Sequence, residues 1–349
     1  VNDAAIVDDE YCSVTGNNRN TGATAADPKA NLLPVLRSYD LGQGDTVYID
    51  TGDYIHVRNV LINDEPGAGD EGATFTGPVS HTATIDRANP HSYATTIDVQ
   101  GDWVTVRDLT LTGGNMGIWV HNSSQNFQGD RLVLRNNTQD GIRLESDADY
   151  STLGVLTIHH NGRYGAYIAT PIGELRNGEI HDNGDDGVYL TNAGNIEVSG
   201  NTIYRNRTGV YIGGRSGSQA IVQDNTVYEN AVHGIHGSYM LAQRNAVHGN
   251  DDDGIQASYN CLVSGNVCHS NGSIGIRLYS GNEAVGNVVH NNAGSGILAE
   301  NGDVIRENRC YANGGTAGIV AYRDSEITGN VGYSNVTGIY CHGDSSGST

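Results

Sequence analysis

GNVVHNNAGSGILAENGDVIRENRCYANGGTAGI, residues 286–319, states one pattern twice. Asn287, Val289, His290, Asn292 and Gly296-Ile297 return 21 or 22 residues later as Asn308, Cys310, Tyr311, Asn313 and Gly318-Ile319. Aligned on the glycine that opens each short apolar strand, the repeat covers Gly117, Gly141, Gly165, Gly187, Gly209, Gly234, Gly254, Gly275, Gly296, Gly318 and Gly338, with a mean spacing of about 22 residues. Alternation of period two turns the residues one and three places after the glycine to one face and the residue two places after it to the other. A second short strand precedes an asparagine in each unit, as in NTIYRN, NTVYEN, NAVHGN and NVCHSN. Its inward place is taken by Ile203, Val227, Val247, Cys268, Val289, Cys310 and Gly332.

A unit of this length is too short for a strand plus a helical crossover and has no helical period. Short strands, turns and one small inward side chain per strand predict an all-β right-handed parallel β-helix, whose like residues stack roughly 4.8 Å apart. Asparagine at the repeated corner tolerates left-handed backbone, and its amide can bond the asparagines above and below. Leucine-rich repeats share the period but not the pattern, and a propeller needs about 40 residues per blade.

Composition agrees with a solenoid full of tight turns. Of 349 residues 48 are glycine, and only six are Met, Phe or Trp. The formal charge of -21 argues against nucleic acid or anionic lipid as partner. Lys29 is the one lysine, which suits a saline medium. Five cysteines, at 12, 261, 268, 310 and 341, form no CxxC pair and suggest neither a disulfide framework nor a cysteine metal site. No apolar run is long enough to enter a membrane.

One β-helix domain over 1–349 is expected: an irregular N-terminal part with a cap over 1–100, regular coils over 101–342 and a tail, GDSSGST, at 343–349. The segment KANLLPVLRSYD, 29–40, predicts a short capping helix, limited by Pro34, with Leu32, Leu33 and Leu36 over the open end and Arg37 in water. EPGAGDEGA, 65–73, predicts a loop. No export signal heads the sequence, and no cap follows Gly338, so a mature fragment or a segment of a longer modular protein, monomeric in itself, is expected.

The outward row two places after the glycines reads Trp119, Arg143, Tyr167, Tyr189, Tyr211, His236, Gln256, Arg277, Leu298, Val320 and Tyr340. His121, Glu145, Tyr279, Glu300, Tyr322 and His342 flank it, and Tyr239 and Tyr259 follow one residue further on. Such a strip offers ring faces and hydrogen-bonding groups to an extended sugar polymer. Stacked tyrosines also stabilise strands with no ligand present, so the informative place is where the row changes chemistry. That place is Tyr211, His236, Gln256 and Arg277, beside the turn Asp251, Asp252, Asp253, with small inward residues at Gly237 and Ala257. A second cluster gathers His121, Arg143, Glu145 and Tyr167. The row His159, His181, Tyr204, Tyr228, His248, His269, His290, Tyr311 and Tyr333 repeats without interruption and reads as edge packing, since evenly spaced rungs do not converge on a metal. The acidic turns, Asp251, Asp252 and Asp253 foremost, admit calcium, although no EF-hand loop is present.

Tyr11 with GNNRNTG, DPKANLLPVL and GDTVYIDTGDY, followed by the repeats to Gly338, resembles the secreted bacterial β-helix proteins of the pectate-lyase-like superfamily, with mannuronan C5-epimerases and uronate lyases nearest in character. The resemblance implies an extracellular or cell-surface bacterial location and a polysaccharide substrate. It covers almost the whole chain, yet the epimerases' DPH segment has no counterpart, the one Asp-Pro being Asp27-Pro28 before Lys29. The aspartate pair and Gly-His-Gly of polygalacturonase-like hydrolases meet only Asp185-Asp186 and Gly234-Ile235-His236-Gly237.

The leading expectation is an enzyme that abstracts the C5 proton of a uronate, as lyase or epimerase. Tyr211 or His236 exchanges the proton, Arg277 holds the carboxylate and Gln256 orients the sugar, with Tyr167, Tyr189, Tyr239, Tyr259, Tyr279, Trp119, His121, Arg143 and Glu145 as further sugar contacts. The alternatives are a noncatalytic carbohydrate-binding or adhesion module, and a glycoside hydrolase using Asp186, Asp252 or Asp253.

Overall fold

The computed structural model describes residues 1–65, 68–69, 71–342 and 346–348. It is an all-β parallel solenoid with one short N-terminal helix among the described residues. Contacts group the chain into two compact units, Val1–Glu179 and Ile180–Thr349. In each, three strands make a coil and pair in parallel with the corresponding strands of the next coil, so the coils build three parallel sheets.

The helix Leu32–Ser38 buries Leu32 and Val35 rather than the expected trio Leu32, Leu33 and Leu36. Leu33 and Leu36 are half-buried, and Arg37 is exposed as expected. Pro34 sits in the first turn, where its missing N–H costs nothing, and the helix then packs through one i, i+3 pair. Within 65–73 a two-residue antiparallel pairing, Asp64–Glu65 with Ala68–Gly69, replaces part of the expected loop. Pro66, Gly67 and Asp70 lie outside the described residues, as do Gly343, Asp344, Ser345 and Thr349 of the expected tail. Ser346–Ser348 pairs in register with Glu326–Thr328.

In Ile180–Thr349 the inward residues stack as predicted. Ile235, Ile255, Ile276, Ile297 and Ile319 share one register position and are fully buried. Gly237 stands in register with Ile212, and a Cβ there would lie 2.6 Å from the Ile212 Cβ. The small residue therefore makes room for the isoleucine one coil before it.

Two buried asparagine ladders pin the corners. One is the expected series, with Nδ2 of Asn206, Asn230, Asn250, Asn271, Asn292 and Asn313 each donating to the next asparagine's Oδ1 at 2.9–3.4 Å. The other, Asn201, Asn225, Asn245, Asn266, Asn287, Asn308 and Asn330, does the same at the opposite end of the NTIYRN-type segment. Left-handed backbone falls on the residue before each ladder asparagine, such as Arg205, Glu229 and Ser270, and not on the asparagine itself. The asparagine is needed for its amide, which spans coils, and the turn falls to its neighbour.

The imidazole and phenol row on the second sheet is a continuous ring stack. From His181 through Tyr204, Tyr228, His248, His269, His290 and Tyr311 to Tyr333, neighbouring centroids are 4.7–5.2 Å apart and planes lie within 10°. Between the ends of the row each ring's faces are covered by its neighbours, so the interior rings pack against one another across the strands and have no face to offer a sugar.

Candidate active site

The third sheet carries the outward row. In Ile180–Thr349, Tyr189, Tyr211, His236, Gln256, Arg277 and Leu298 occupy one register position on successive strands. Val320 continues the register but is buried, so it is lost to the exposed strip.

Tyr189 and Tyr211 stack with centroids 4.9 Å apart and planes at 6°. At His236 the stack ends: its ring stands edge-on to Tyr211, at 84° and 5.2 Å, and edge-on to His233, at 80° and 5.1 Å. Burial, then the neighbouring His233 and Arg207, push the His236 imidazole down to about 4, against a weaker pull from Asp253. Above that pH it is neutral and able to accept a proton.

Arg277 is less free than the row alone implied. Its Nε donates to Asp253 Oδ2 at 2.6 Å, and its Nη1 lies 3.7 Å from Glu300. The other Asp253 oxygen accepts the Ile274 backbone N–H at 2.9 Å, which fixes the carboxylate from the next coil. Asp253 is 2% exposed, so guanidinium and carboxylate form a largely buried pair, in which Nη2 also reaches Asp253 Oδ1 at 3.5 Å and Nη1 is the nitrogen on the Glu300 side. Gln256 donates through Nε2 to the Tyr279 hydroxyl at 3.0 Å, while its Oε1 is buried with no hydrogen-bond donor among the described residues. Tyr279 lines a cleft of about 490 Å³ with Leu298, Glu300, Asn301, Tyr322 and Arg323.

The remaining expected residues divide. Tyr239 faces a different groove, of about 530 Å³, with Asn195, Gln219, Leu241 and Asn260, and Tyr259 is exposed. Asp251 is exposed, whereas Asp252 and Asp253 approach His233. A larger cavity, about 620 Å³ and lined by Tyr11, Cys12, Val35, Tyr39 and Tyr48 among others, lies under the N-terminal segment and holds none of these rows.

Val1–Glu179 holds the second cluster. Asp98, Trp119, Arg143 and Tyr167 share one register position. Glu145 Oε1 accepts from Trp119 Nε1 at 3.0 Å and from Arg143 Nε at 2.7 Å, and the Arg143 guanidinium covers the Tyr167 ring at 3.9 Å. His121 stacks on Trp119 at 4.0 Å, with Nε2 2.8 Å from Asp98 Oδ1, a close approach without the alignment of a hydrogen bond. Here every charge is already answered by a neighbour.

Sequence reasoning passed over the column one place before each strand glycine. It supplies Asp140, Asp186, His233 and Asp253, and three of these, the aspartates, are almost fully buried beside an arginine: Arg143, Arg207 and Arg277. Burial raises the carboxyls of Asp140 and Asp186. The signal was available as acidic residues recurring at one fixed place in a row otherwise mixed.

The profile of the family described as right-handed beta helix region matches residues 95–239 and 236–304. A search of curated proteins returned no match. Among solved structures, the A-module of mannuronan C-5 epimerase AlgE4 of Azotobacter vinelandii is similar at 19% identity and TM-score 0.61, over 88% of this chain and 91% of that one. The A-module of AlgE6 from the same organism gives 17% and 0.58, over 87% and 90%. The Dettilon tailspike protein gives 16% and 0.58, over 85% of this chain and 61% of the tailspike.

Proposed function

Since the chain belongs to the right-handed β-helix family, we propose that it acts on an acidic polysaccharide by removing the C5 proton of a uronate residue. The observation that carries this reading is the break in the ring stack at His236, where a neutral imidazole stands one rung after a phenol, Tyr211, and two rungs before a guanidinium, Arg277. Rungs two apart are roughly 10 Å apart, within the span of one sugar ring and the side chains around it. Two similar structures are named for epimerising mannuronan, which supports a uronate polymer as substrate.

In this mechanism the Nη1 end of Arg277 pairs with the substrate carboxylate and stabilises the negative charge that develops when the C5–H bond breaks. His236 accepts the C5 proton as general base, leaving the electron pair delocalised into the carboxylate. Return of a proton to C5 from the Tyr211 hydroxyl on the opposite face inverts the centre. If instead the pair forms the C4–C5 double bond and the C4–O bond breaks, the leaving oxygen takes that proton and the outcome is β-elimination. Gln256, whose own carbonyl oxygen is buried, orients the sugar through the Tyr279 hydroxyl that its Nε2 holds. Tyr189 extends the platform, and the cleft beside Tyr279 accepts the neighbouring sugar. An acidic chain with one lysine acting on such a polymer belongs outside the cytoplasm, in a bacterial and saline setting.

The test is incubation with uronate polymers in deuterated water. C5 deuterium in the product, or the ultraviolet absorbance of a new conjugated double bond, is expected from the wild type and is lost in His236→Ala and Tyr211→Phe. Deuterium uptake unchanged in both variants removes the assignment. Binding without exchange on a broad panel supports the noncatalytic module, and saturated products cut by water support a hydrolase using Asp186, Asp252 or Asp253.

A further inference from the structure

The column before the strand glycines runs Asp186, Thr208, His233, Asp253, Ile274 and Ser295 in the second unit. Its ordinary duty is to bond the backbone one coil on, as Asp186 Oδ1 accepts the Thr208 N–H at 3.2 Å and Asp253 Oδ1 the Ile274 N–H at 2.9 Å. Between His233 and Asp253 alone among these neighbours does an imidazole meet a carboxylate, and Asp252, one residue earlier in the same turn, adds another. We propose that His233, Asp252 and Asp253 form a binding site for a divalent first-row transition-metal ion.

Three observations carry it. One nitrogen of His233 and one carboxylate oxygen from each aspartate lie within 4.8 Å of one another. His233 Nδ1 is 3.8 Å from Asp252 Oδ2, too long for a hydrogen bond but near the donor-to-donor edge of about 3.3–3.5 Å that bonds of about 2.0–2.1 Å give around a tetrahedral ion. The nitrogen is closed to solvent and has no hydrogen-bond partner among the described residues, although the side chain is only 13% exposed. A buried ring nitrogen left so is costly, and an ion would satisfy it.

The donor set selects the kind of ion. Calcium takes six to eight oxygens, whereas one imidazole and two carboxylates suit zinc and its neighbours. His233 and Asp253 are held in register by the Gly209 N–H on the His233 carbonyl, at 3.0 Å, and by the Gly234 N–H on the Asp253 carbonyl, at 3.1 Å. The Asp252 side chain is 47% exposed and free to close the remaining gap. Two carboxylates against Arg277 leave a net negative charge for the ion to balance. With three protein ligands, a tetrahedral ion keeps one position open for an oxygen of an anionic ligand, beside His236, whose ring touches His233. The site does not depend on the uronate reading, and its failure would leave that reading untouched.

The test is calorimetric titration of zinc into the chelator-treated full chain, with the visible spectrum of the cobalt form as a second readout. One equivalent of zinc is expected at micromolar affinity, with tetrahedral cobalt bands, and with at least tenfold weaker binding in both His233→Gln and Asp252→Asn. His269→Gln, in the exposed ring stack, is expected to bind as the wild type does, and millimolar calcium to leave the bound zinc in place. No stoichiometric zinc, affinity unchanged in Asp252→Asn and His233→Gln, loss in His269→Gln, or displacement by calcium would each overturn the proposal. Should His233→Gln fail to fold, the exposed Asp252→Asn carries the test alone.

Discussion

Replacing Asn271 by leucine removes one rung from the middle of a buried ladder, and the cost can be counted bond by bond. Its Oδ1 accepts the Asn250 backbone N–H at 3.2 Å and the Asn250 amide at 3.0 Å, and its Nδ2 donates to Val247 O at 3.2 Å and Asn292 Oδ1 at 2.9 Å. In Asn271→Leu all four bonds are lost. The Asn250 amide keeps its longer bonds to Val227 O and His248 O, and Asn292 Oδ1 keeps the residue 271 backbone N–H, but the Asn250 N–H loses its acceptor in a place 1% exposed. An orphaned buried donor costs about 1–3 kcal/mol and each other lost bond about 1 kcal/mol, against about 1–2 kcal/mol gained by burying leucine. The net is a loss of roughly 3 kcal/mol. Asn335→Leu is the internal comparison. That asparagine accepts from Asn313 in the same way but is only half-buried, so water replaces the lost partner and the loss should stay near 1 kcal/mol. Denaturant unfolding followed by circular dichroism measures both. Equal losses, or less than about 1 kcal/mol at Asn271, would refute the view that the amide ladder and not the apolar stack alone holds the corners.

Gly237→Ala should destabilise the fold by about 1–3 kcal/mol and lower the unfolding midpoint, because the new Cβ meets Ile212 Cβ at 2.6 Å and Ile212 O at 2.9 Å; a thermal melt showing no shift would mean the coil relaxes freely. Asp182, held at about 2 first by the Arg205 hydrogen bonds and then by His181, has a folded pKa below its unfolded one. Its contribution is therefore present above about pH 4 and is lost as pH falls through about 2; with both partners partly exposed it amounts to no more than about 1 kcal/mol, seen as a wild-type advantage over Asp182→Asn at pH 5 that disappears near pH 2. If Arg277 holds the substrate carboxylate and the charge that develops on it, Arg277→Lys keeps a charge but loses the guanidinium geometry, and kcat/KM for a uronate polymer should fall about tenfold or more with kcat lowered. A chain of charge -21 repels an anionic polymer, so kcat/KM should increase with salt up to about 0.15 M; a neutral substrate would show no such rise.

What the sequence made legible and what it hid follow one rule. Period, coil, inward stack and outward row were readable because each is written many times: Ile235, Ile255, Ile276 and Ile297 differ in nothing but height. The asparagine that opens NTIYRN was as regular as the one that closes it, and the second ladder was missed because a polar residue starting a strand looks like ordinary turn punctuation until its amide is seen to reach the next coil. The helix face was misjudged for a local reason, since two successive leucines at 32 and 33 do not say which one the coil beneath will take. The site was half legible. The row Tyr211, His236, Gln256, Arg277 is a property of one strand position, but the commitment of Arg277 to Asp253 joins that position to the turn before it, and no single alignment column displays both. His233 was invisible for the same reason: in its own column it is one mixed residue among many, and its interest arises only from Asp253 directly one coil on and from His236 beside it. In a solenoid, structure is carried by columns that repeat, whereas chemistry arises where two columns change at the same height, so pairs of adjacent columns should be compared rung by rung.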